Sequence, residues 1–210
     1  MNDDAWRVLQ DWVALRTDLA ISPGQWAQLR IYLDTLLAWN RKLALVSQRD
    51  PTQIIDKHVA DSLFVAAHCV DGEAVIDLGS GAGFPALPIA ISRPASRVCL
   101  IESRGKKASF LEEVRRAASI RNAVICHARI EAIASEVKHR SQYAVATARA
   151  LTSTEEFLSL ARPFLVLGGR AIAMRSIDEA RSEQTDLDAV PYELPDGTPR
   201  RLLIARFGGG

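Results

Sequence analysis

Between residues 77 and 83 the chain reads Asp77-Leu78-Gly79-Ser80-Gly81-Ala82-Gly83, an acid followed by glycines at alternate positions. This spacing suits a strand that turns sharply into a helix while a ligand approaches the backbone. Glycine tolerates positive φ and puts no side chain in the way. The spacing is tighter than the G-x-G-x-x-G of dinucleotide sites. Asp77 offers a carboxylate to an ammonium group, directly or through water, and would repel a pyrophosphate. The residues therefore favour S-adenosylmethionine over NAD. A tight turn without ligand is the plainer alternative.

Other positions fall on the same predicted edge. Glu102 ends the apolar run Val98-Cys99-Leu100-Ile101. A carboxylate there can accept hydrogen bonds from both hydroxyls of a ribose; paired with Arg104 or Lys106 it would be an ordinary surface acid. Arg129-Ile130-Glu131 follows the next apolar run, where Ile130 could pack on an adenine ring. Glu131 equally suits the positive end of a helix. Arg149 closes a fourth run, at the edge where a transferable methyl would lie. The Asn/Asp-Pro-Pro-aromatic motif of many adenine-N6 methyltransferases is absent, and Cys126, the nearest cysteine, lies within a predicted strand. The chemistry therefore calls for no covalent nucleophile. His58, Asp61 and Ser62 stand at i, i+3 and i+4 of one helix, which suits local hydrogen bonding better than a catalytic relay. No G-x-S-x-G elbow occurs either. Trp39 is expected in the core and Asn40 at a helix C-cap.

The elements that must position these residues are legible as well. Residues 1–70 read as all-helical: a helix over 4–17, a second started by the capping box Ser22-Pro23-Gly24-Gln25, and a third started by Asp50-Pro51-Thr52-Gln53. Strands are expected at 74–78, 98–101, 124–126, 143–147 and, after a glycine turn, 169–174. Helices are expected at 87–92, 106–119 and 154–161. Tyr192-Glu193-Leu194 and the run 201–207 would close the sheet as an antiparallel pair, with Gly208-Gly209-Gly210 a frayed end. The expected fold class is α/β: a Rossmann-like sheet, mostly parallel, spanning 71–210 and preceded by a helical segment over 1–70 that packs on it.

Composition narrows the class further. The chain has 210 residues, enough for one good core, and its net charge is +1. Residues 93–149 nevertheless hold 12 basic and 5 acidic side chains, a difference of +7. That is either a nucleic-acid footprint or an ordinary solvated face. No apolar run is long enough to span a bilayer, and the first ten residues lack a signal-peptide layout, so a cytoplasmic protein without membrane contact is expected. Cys69, Cys99 and Cys126 lie far apart with no C-x-x-C pair, which suits reduced core residues better than a disulfide frame or a metal site. No metal is expected, and the chain is expected to be a monomer.

Taken in order, the motifs resemble one family closely. Trp39-Asn40-Arg41-Lys42, His58-Val59-Ala60-Asp61-Ser62-Leu63, Asp77 through Pro85, Glu102-Ser103 with Lys106-Lys107 and Phe110-Leu111, and Ala148-Arg149-Ala150-Leu151 are similar to the RsmG family. That family, also called glucose-inhibited division protein B, methylates N7 of a guanine in bacterial 16S ribosomal RNA. The resemblance implies cofactor contacts at Gly79, Phe84, Ile130, Glu131 and Arg149, with Glu102 at the ribose. Asp77, Gly81 and Gly83 complete the expected cofactor set. It also implies a partner in 16S ribosomal RNA or the small ribosomal subunit. Arg41, Lys42, His58, Arg104, Lys106, Lys107 and Arg175 are the candidates to meet it, with Arg115, Arg116 and Arg121 as further basic residues. No catalytic base is assigned, because N7 carries a lone pair and no proton; Arg149 is the candidate positioning group. The chain departs from the family pattern at Ala44-Leu45-Val46 (usually Asn-Leu-Thr), at Ala86 (usually glycine) and at Arg175-Ser176 (often Lys-Gly). Competing readings are a small-molecule methyltransferase, an NAD-dependent oxidoreductase and a non-catalytic RNA-binding module.

Overall fold

Short β-branched runs separated by amphipathic helices leave little choice of architecture, and the computed structural model, which describes residues 3–149, 153–177 and 187–208, shows the expected alternation. Strands β1 (Ala74–Leu78), β2 (Arg97–Ile101), β3 (Ala123–Cys126), β4 (Tyr143–Arg149) and β5 (Leu165–Ser176) pair in parallel. β6 (Asp188–Glu193) and β7 (Pro199–Phe207) form an antiparallel hairpin whose second arm lies against β5. The order is β3-β2-β1-β4-β5-β7-β6. It reverses between β1 and β4, and in open α/β sheets the crevice at the carboxyl ends of the strands, at such a reversal, is where ligands bind.

Ahead of the sheet come α1 (Asp3–Arg16), α2 (Pro23–Asn40), α3 (Pro51–Ile54) and α4 (Ala60–Ala67); α5 (Ala86–Ser92), α6 (Gly105–Ala117), α7 (Ile130–Ser135) and α8 (Thr154–Ala161) are interleaved with the strands. α2 starts with the expected box: Gln25 N–H donates to Ser22 Oγ at 3.3 Å, and Ser22 N–H donates to Gln25 Oε1 at 2.8 Å. The second start signal works differently. Asp50 Oδ1 accepts from the N–H of Thr52, and no reciprocal bond from Gln53 is made, so it is a simple N-cap. A π turn over Ile55–Val59, which the sequence did not announce, joins α3 to α4.

Two apolar layers hold the sheet. One joins α1, α2, α4, α5 and α6 to the face carrying Val75, Leu100, Val145 and Ile172. The other packs α7 and α8 on the face carrying Ile76, Leu78, Ile101 and Ala146. The helices before residue 70 thus share a core with the sheet. Two long-range bonds reinforce this: buried Tyr32 O–H donates to Ala82 O at 2.5 Å, and Trp12 Nε1–H donates to Glu193 O at 3.0 Å.

The fifth strand corrects one expectation. Gly168-Gly169 is not a turn ahead of the strand but lies inside it, where the register against β4 shifts between Tyr143 and Val145. A bulge of this kind lets a strand bend without ending. Gly209 and Gly210, expected to be a frayed end, lie outside the described residues, as do Ala150 and Leu151.

Gly83 packs more than it binds. Its φ is +91°, and a Cβ there would stand 2.5 Å from Leu87 Cδ1 and 3.1 Å from Leu111 Cδ2. Strain and overpacking should add, so Gly83→Ala is expected to lose about 2–4 kcal/mol. Gly197 also has positive φ but open space around it, so Gly197→Ala is expected to lose only about 1–2 kcal/mol. Urea unfolding midpoints compare the two; equal losses would remove the packing role.

Candidate functional site

The carboxyl ends of β1, β2, β3 and β4 converge on two hollows. The larger, about 460 Å³, is lined by Gly79, Ser80, Gly81, Phe84, Glu102, Arg104, Lys107, Arg149, His58 and the segment Leu45 to Gln48. The smaller, about 270 Å³, is lined by Gly79, Ile101, Ser103, Ala128, Arg129, Ile130 and Glu131. They share Gly79 and Ser103, so they abut across the end of β2. The larger falls within the range of small-molecule sites, which combine apolar walls with a few placed polar groups.

Glu102 is the pivot between them. Although 5 % exposed, it is fully engaged at the backbone: Oε2 accepts from Gly81 N–H and Oε1 from Arg104 N–H, both at 2.8 Å. It therefore fixes the glycine loop rather than pairing with the Arg104 or Lys106 side chains. An ionised carboxylate has about four lone-pair sites, so two remain to accept hydroxyl groups.

Asp77 sits deeper than expected. It is 1 % exposed and does not line either hollow. Thr147 Oγ1–H donates to its Oδ1 at 2.8 Å, while Oδ2 has no partner. Burial raises its carboxyl from 3.8 to about 7 against the pull of the Thr147 hydrogen bond and of the nearby Ser80 hydroxyl, which donates to the Asp77 backbone carbonyl. A buried carboxylate with one unsatisfied oxygen fits a site that receives a cation: a positive charge brought to the loop would favour its ionised form.

The opposite wall of the larger hollow comes from the N-terminal helices. Asn40 is not the C-cap, which falls at Arg41. Its Oδ1 accepts from the N–H of Leu45 at 2.8 Å and of Val46 at 3.1 Å, and its Nδ2 donates to Gln48 O at 3.2 Å. One side chain thus clamps the loop that walls the site. His58 Nε2 meets Gln48 Oε1 at 2.7 Å, and its ring stacks on Phe84 at 5.2 Å between centroids. Burial, with Arg149 nearby, lowers its pKa to about 3, so the ring is neutral.

Arg149 reaches the hollow from the end of β4. Its Nη2 donates to Lys57 O at 3.1 Å and lies 3.8 Å from Asp61 Oδ2; its Nη1 is buried without a partner. Asp61, with no exposure, also accepts from Tyr192 O–H and from Arg200 Nη2 at 3.1 Å. The acid singled out beside His58 is therefore the counter-charge of two arginines. Arg200 and Tyr192 escaped the sequence reading, because a hairpin more than 130 residues downstream carries no local sign of its partner.

The sequence-predicted residues separate accordingly. Gly79, Gly81, Phe84, Glu102 and Arg149 line one hollow, and Ile130 and Glu131 the other. Gly83 and Asp77 stand behind the walls. Among the proposed RNA contacts, Arg104 and Lys107 rim the larger hollow, Lys106, Arg41 and Lys42 are exposed, and Arg41 lines a further cavity of about 470 Å³ with Arg49. One candidate is corrected. Arg175 is 7 % exposed and its Nε donates to Thr154 Oγ1 at 3.0 Å, so it is spent inside the protein. His58, neutral, lines the larger hollow itself. Arg115 and Arg116 are paired with Glu112 and Glu113, each at 2.8 Å, which dilutes the basic face of α6. Among the described residues no helix is long and apolar enough to cross a membrane, and no group of three or more His, Cys, Asp or Glu side chains could hold a metal.

Known proteins match this chain in sequence and in fold. A family model described as rRNA small subunit methyltransferase G matches residues 25–192. A Ribosomal RNA small subunit methyltransferase G of Chloroflexus aggregans is 37 % identical over 198 residues, covering 89 % of this chain and 83 % of that protein. One from Xanthomonas campestris is 38 % identical over 185 residues, covering 85 % and 84 %. In fold, the chain is similar to a SAM-dependent O-methyltransferase of Thermotoga maritima, with a TM-score of 0.55 at 14 % identity over 83 % of this chain and 72 % of that one.

Two outcomes follow from the buried acids. In the unfolded chain Asp77 ionises near 3.8 and in the folded one near 7, so the folded state holds the extra proton in between. Stability contributed by this group is present below about 4 and is lost as pH rises towards 7. Without ligand, the protein should therefore lose stability relative to Asp77→Asn between pH 4 and pH 7, and keep a constant gap above; parallel urea curves across that window would refute it. Asp61→Asn strands two guanidinium groups without counter-charge and should cost about 3–5 kcal/mol. Tyr192→Phe removes one donor, keeps the stack on Phe64 and should cost about 1–2 kcal/mol. The reverse ranking in urea titrations would overturn this assignment of roles.

Proposed function

The chain belongs to the rRNA small subunit methyltransferase G family, and from that premise we propose that it transfers a methyl group from S-adenosylmethionine to N7 of a guanine in bacterial 16S ribosomal RNA, by direct in-line attack without a covalent intermediate. The observation that carries the reading is the pairing of Glu102 with the glycine loop: one carboxylate orders the loop and keeps lone pairs free at the junction of two hollows.

The residues fit the cofactor. Glu102 would hold the ribose hydroxyls, Ile130 and Glu131 would flank the adenine, and Gly79 would let the backbone approach. Asp77, with its unsatisfied Oδ2 beneath the loop, would answer the amino-acid end electrostatically. When bound, S-adenosylmethionine supplies an electrophilic methyl on a sulfonium. Guanine N7 has an in-plane lone pair and no proton, so no side chain has to act as a base. What remains for the protein is placement in a dry, charge-matched site. Phe84, His58 and Arg149 make an aromatic wall with one guanidinium beside it, the Arg149 Cζ lying 5.9 Å from the centre of the Phe84 ring. Asn40 and Gln48 hold the loop across from it.

Arg104 and Lys107 at the rim, exposed Lys106 beside them, and Arg41, Lys42 and Arg49 beyond the Asn40-clamped loop would meet RNA phosphates, giving affinity without base readout. We propose that this face docks the small-subunit RNA and that the helices before residue 70 contribute to it.

The test is transfer of labelled methyl to small-subunit RNA, free or in 30S particles, from cells lacking this gene, followed by mass spectrometry of the nucleosides. The expected product is 7-methylguanosine; another methylated base would sink the N7 assignment, and no incorporation would sink the reading as a whole. Glu102→Ala should weaken cofactor binding about 10–100-fold by calorimetry, the cost of unpaired ribose hydroxyls and a loosened loop.

A further inference from the structure

Two cysteines that are 27 residues apart in sequence touch in the fold. Cys99 Sγ and Cys126 Sγ are 3.5 Å apart, on neighbouring strands β2 and β3 and on the same face of the sheet. The contact is not an inert core pair. β3 is the outer strand of the sheet, Cys126 is only partly buried, and Val124 beside it is 61 % exposed. Cys99 lies behind it, 5 % exposed, next to Tyr143 and beneath α7. Cys126 is thus the accessible thiol and Cys99 the one poised to resolve it. The charge pattern is consistent with this: either sulfur can donate in their contact, and that contact together with Lys138 pulls the Cys126 thiol down, while the contact and burial push Cys99 up.

The pair is also wired to the candidate cofactor site. The Cys126 carbonyl accepts two backbone bonds, from Glu102 N–H at 3.1 Å and from Ala128 N–H at 3.0 Å. The first fixes the ribose carboxylate and the second sets the turn into Ile130 and Glu131. The register pairs Cys99 with Val124 and Cys126 with Ile101, so the two cysteines are diagonal neighbours, and closing their sulfurs from 3.5 Å to a bond of about 2.05 Å pulls on the end of β3 and on both anchors.

We propose that Cys99 and Cys126 form a reversible thiol-oxidation site, closed to a disulfide by hydroperoxides, and that closure weakens the adenine-ribose end of the cofactor site. The second half rests on the cofactor reading above. The Cys126 thiolate attacks a peroxide oxygen, the O–O bond breaks and hydroxide leaves, giving a sulfenic acid. The Cys99 thiol then attacks that sulfur, forming the S–S bond and releasing water. With hydrogen peroxide the sum is two thiols and one H₂O₂ giving one disulfide and two waters, the sulfurs losing two electrons and the peroxide oxygens gaining them. Because coupling is reciprocal at equilibrium, bound cofactor disfavours the disulfide by the same factor by which the disulfide weakens cofactor binding.

The experiment treats the protein with hydrogen peroxide, maps thiols by peptide mass spectrometry, and measures S-adenosylmethionine binding by calorimetry before treatment, after it and after dithiothreitol. Cys69, 1 % exposed with its thiol pushed up to about 12 by burial, is the internal control and should stay reduced. The expected result is a Cys99–Cys126 disulfide, cofactor affinity at least tenfold weaker, and recovery on reduction. Cys99→Ser should bind cofactor like the untreated protein but gain oxygen on Cys126 without forming the disulfide. A Cys126 that stays reduced, one that is over-oxidised with Cys99 intact, or a disulfide that leaves affinity unchanged overturns the inference. Failure of the reduced protein to bind S-adenosylmethionine instead overturns the cofactor reading and the coupling built on it, with the disulfide map still deciding the site.

Discussion

A carboxylate with no exposed surface organises this molecule. Asp61 lies on α4, yet its partners come from elsewhere: Arg149 from the end of β4, Arg200 from β7 and Tyr192 from β6. A buried charge is tolerated only when it is paired and hydrogen-bonded. That requirement draws a helix of the N-terminal layer, the middle of the sheet and the closing hairpin to a single point. The point adjoins the larger hollow, which Arg149 also lines, so one guanidinium serves both the buried charge cluster and the hollow's wall. Arg149 Nη2 is held on Lys57 O and towards Asp61, while Nη1 is left without a partner.

The two other buried acids divide the work by depth. Glu102 is satisfied by backbone amides and keeps capacity in reserve, which makes it a good permanent anchor. Asp77 is desolvated and short of one partner, which pushes its carboxyl up to about 7. A group in that condition gains from a cation and costs stability without one. Evolution tolerates such a local cost where binding repays it, and the residue just before a glycine loop is where that trade is expected.

Much of the fold was legible because its signals are local. β1 to β4 follow from apolar runs of strand length, α2 from its capping box, and the closing hairpin from the two short segments at 192–194 and 201–207. The glycine loop and Glu102 could be placed at one edge because strand ends in an alternating α/β pattern must converge there. What escaped depends on distant neighbours or on details that periodicity does not encode. The π turn at 55–59 leaves the apolar stripe nearly unchanged. The bulge at Gly168-Gly169 looks like a turn until a neighbouring strand is present. Asn40 was mistaken for a cap because its true partners, Leu45, Val46 and Gln48, lie in a loop without pattern. Arg175 looks available for RNA only while its burial is unknown. Cys99 and Cys126 looked isolated because spacing along a chain says nothing of adjacency across a sheet.

The sequence separations of Asp61's partners, 131 residues to Tyr192 and 139 to Arg200, have a meaning for synthesis. A chain emerging from the ribosome presents α4 and its acid long before either partner exists. Contacts of such long range form late, after the loop-closure entropy has been met. The pocket wall at Arg149 therefore cannot reach its final charge balance while Arg200 is still in the exit tunnel. A nascent chain halted before the hairpin would carry the glycine loop, Glu102, the basic helix and the Arg149–Asp61 pair, but Asp61 would lack the second guanidinium and the hydroxyl that complete its hydrogen bonding. The charge at that point is therefore finished only when the hairpin is in place.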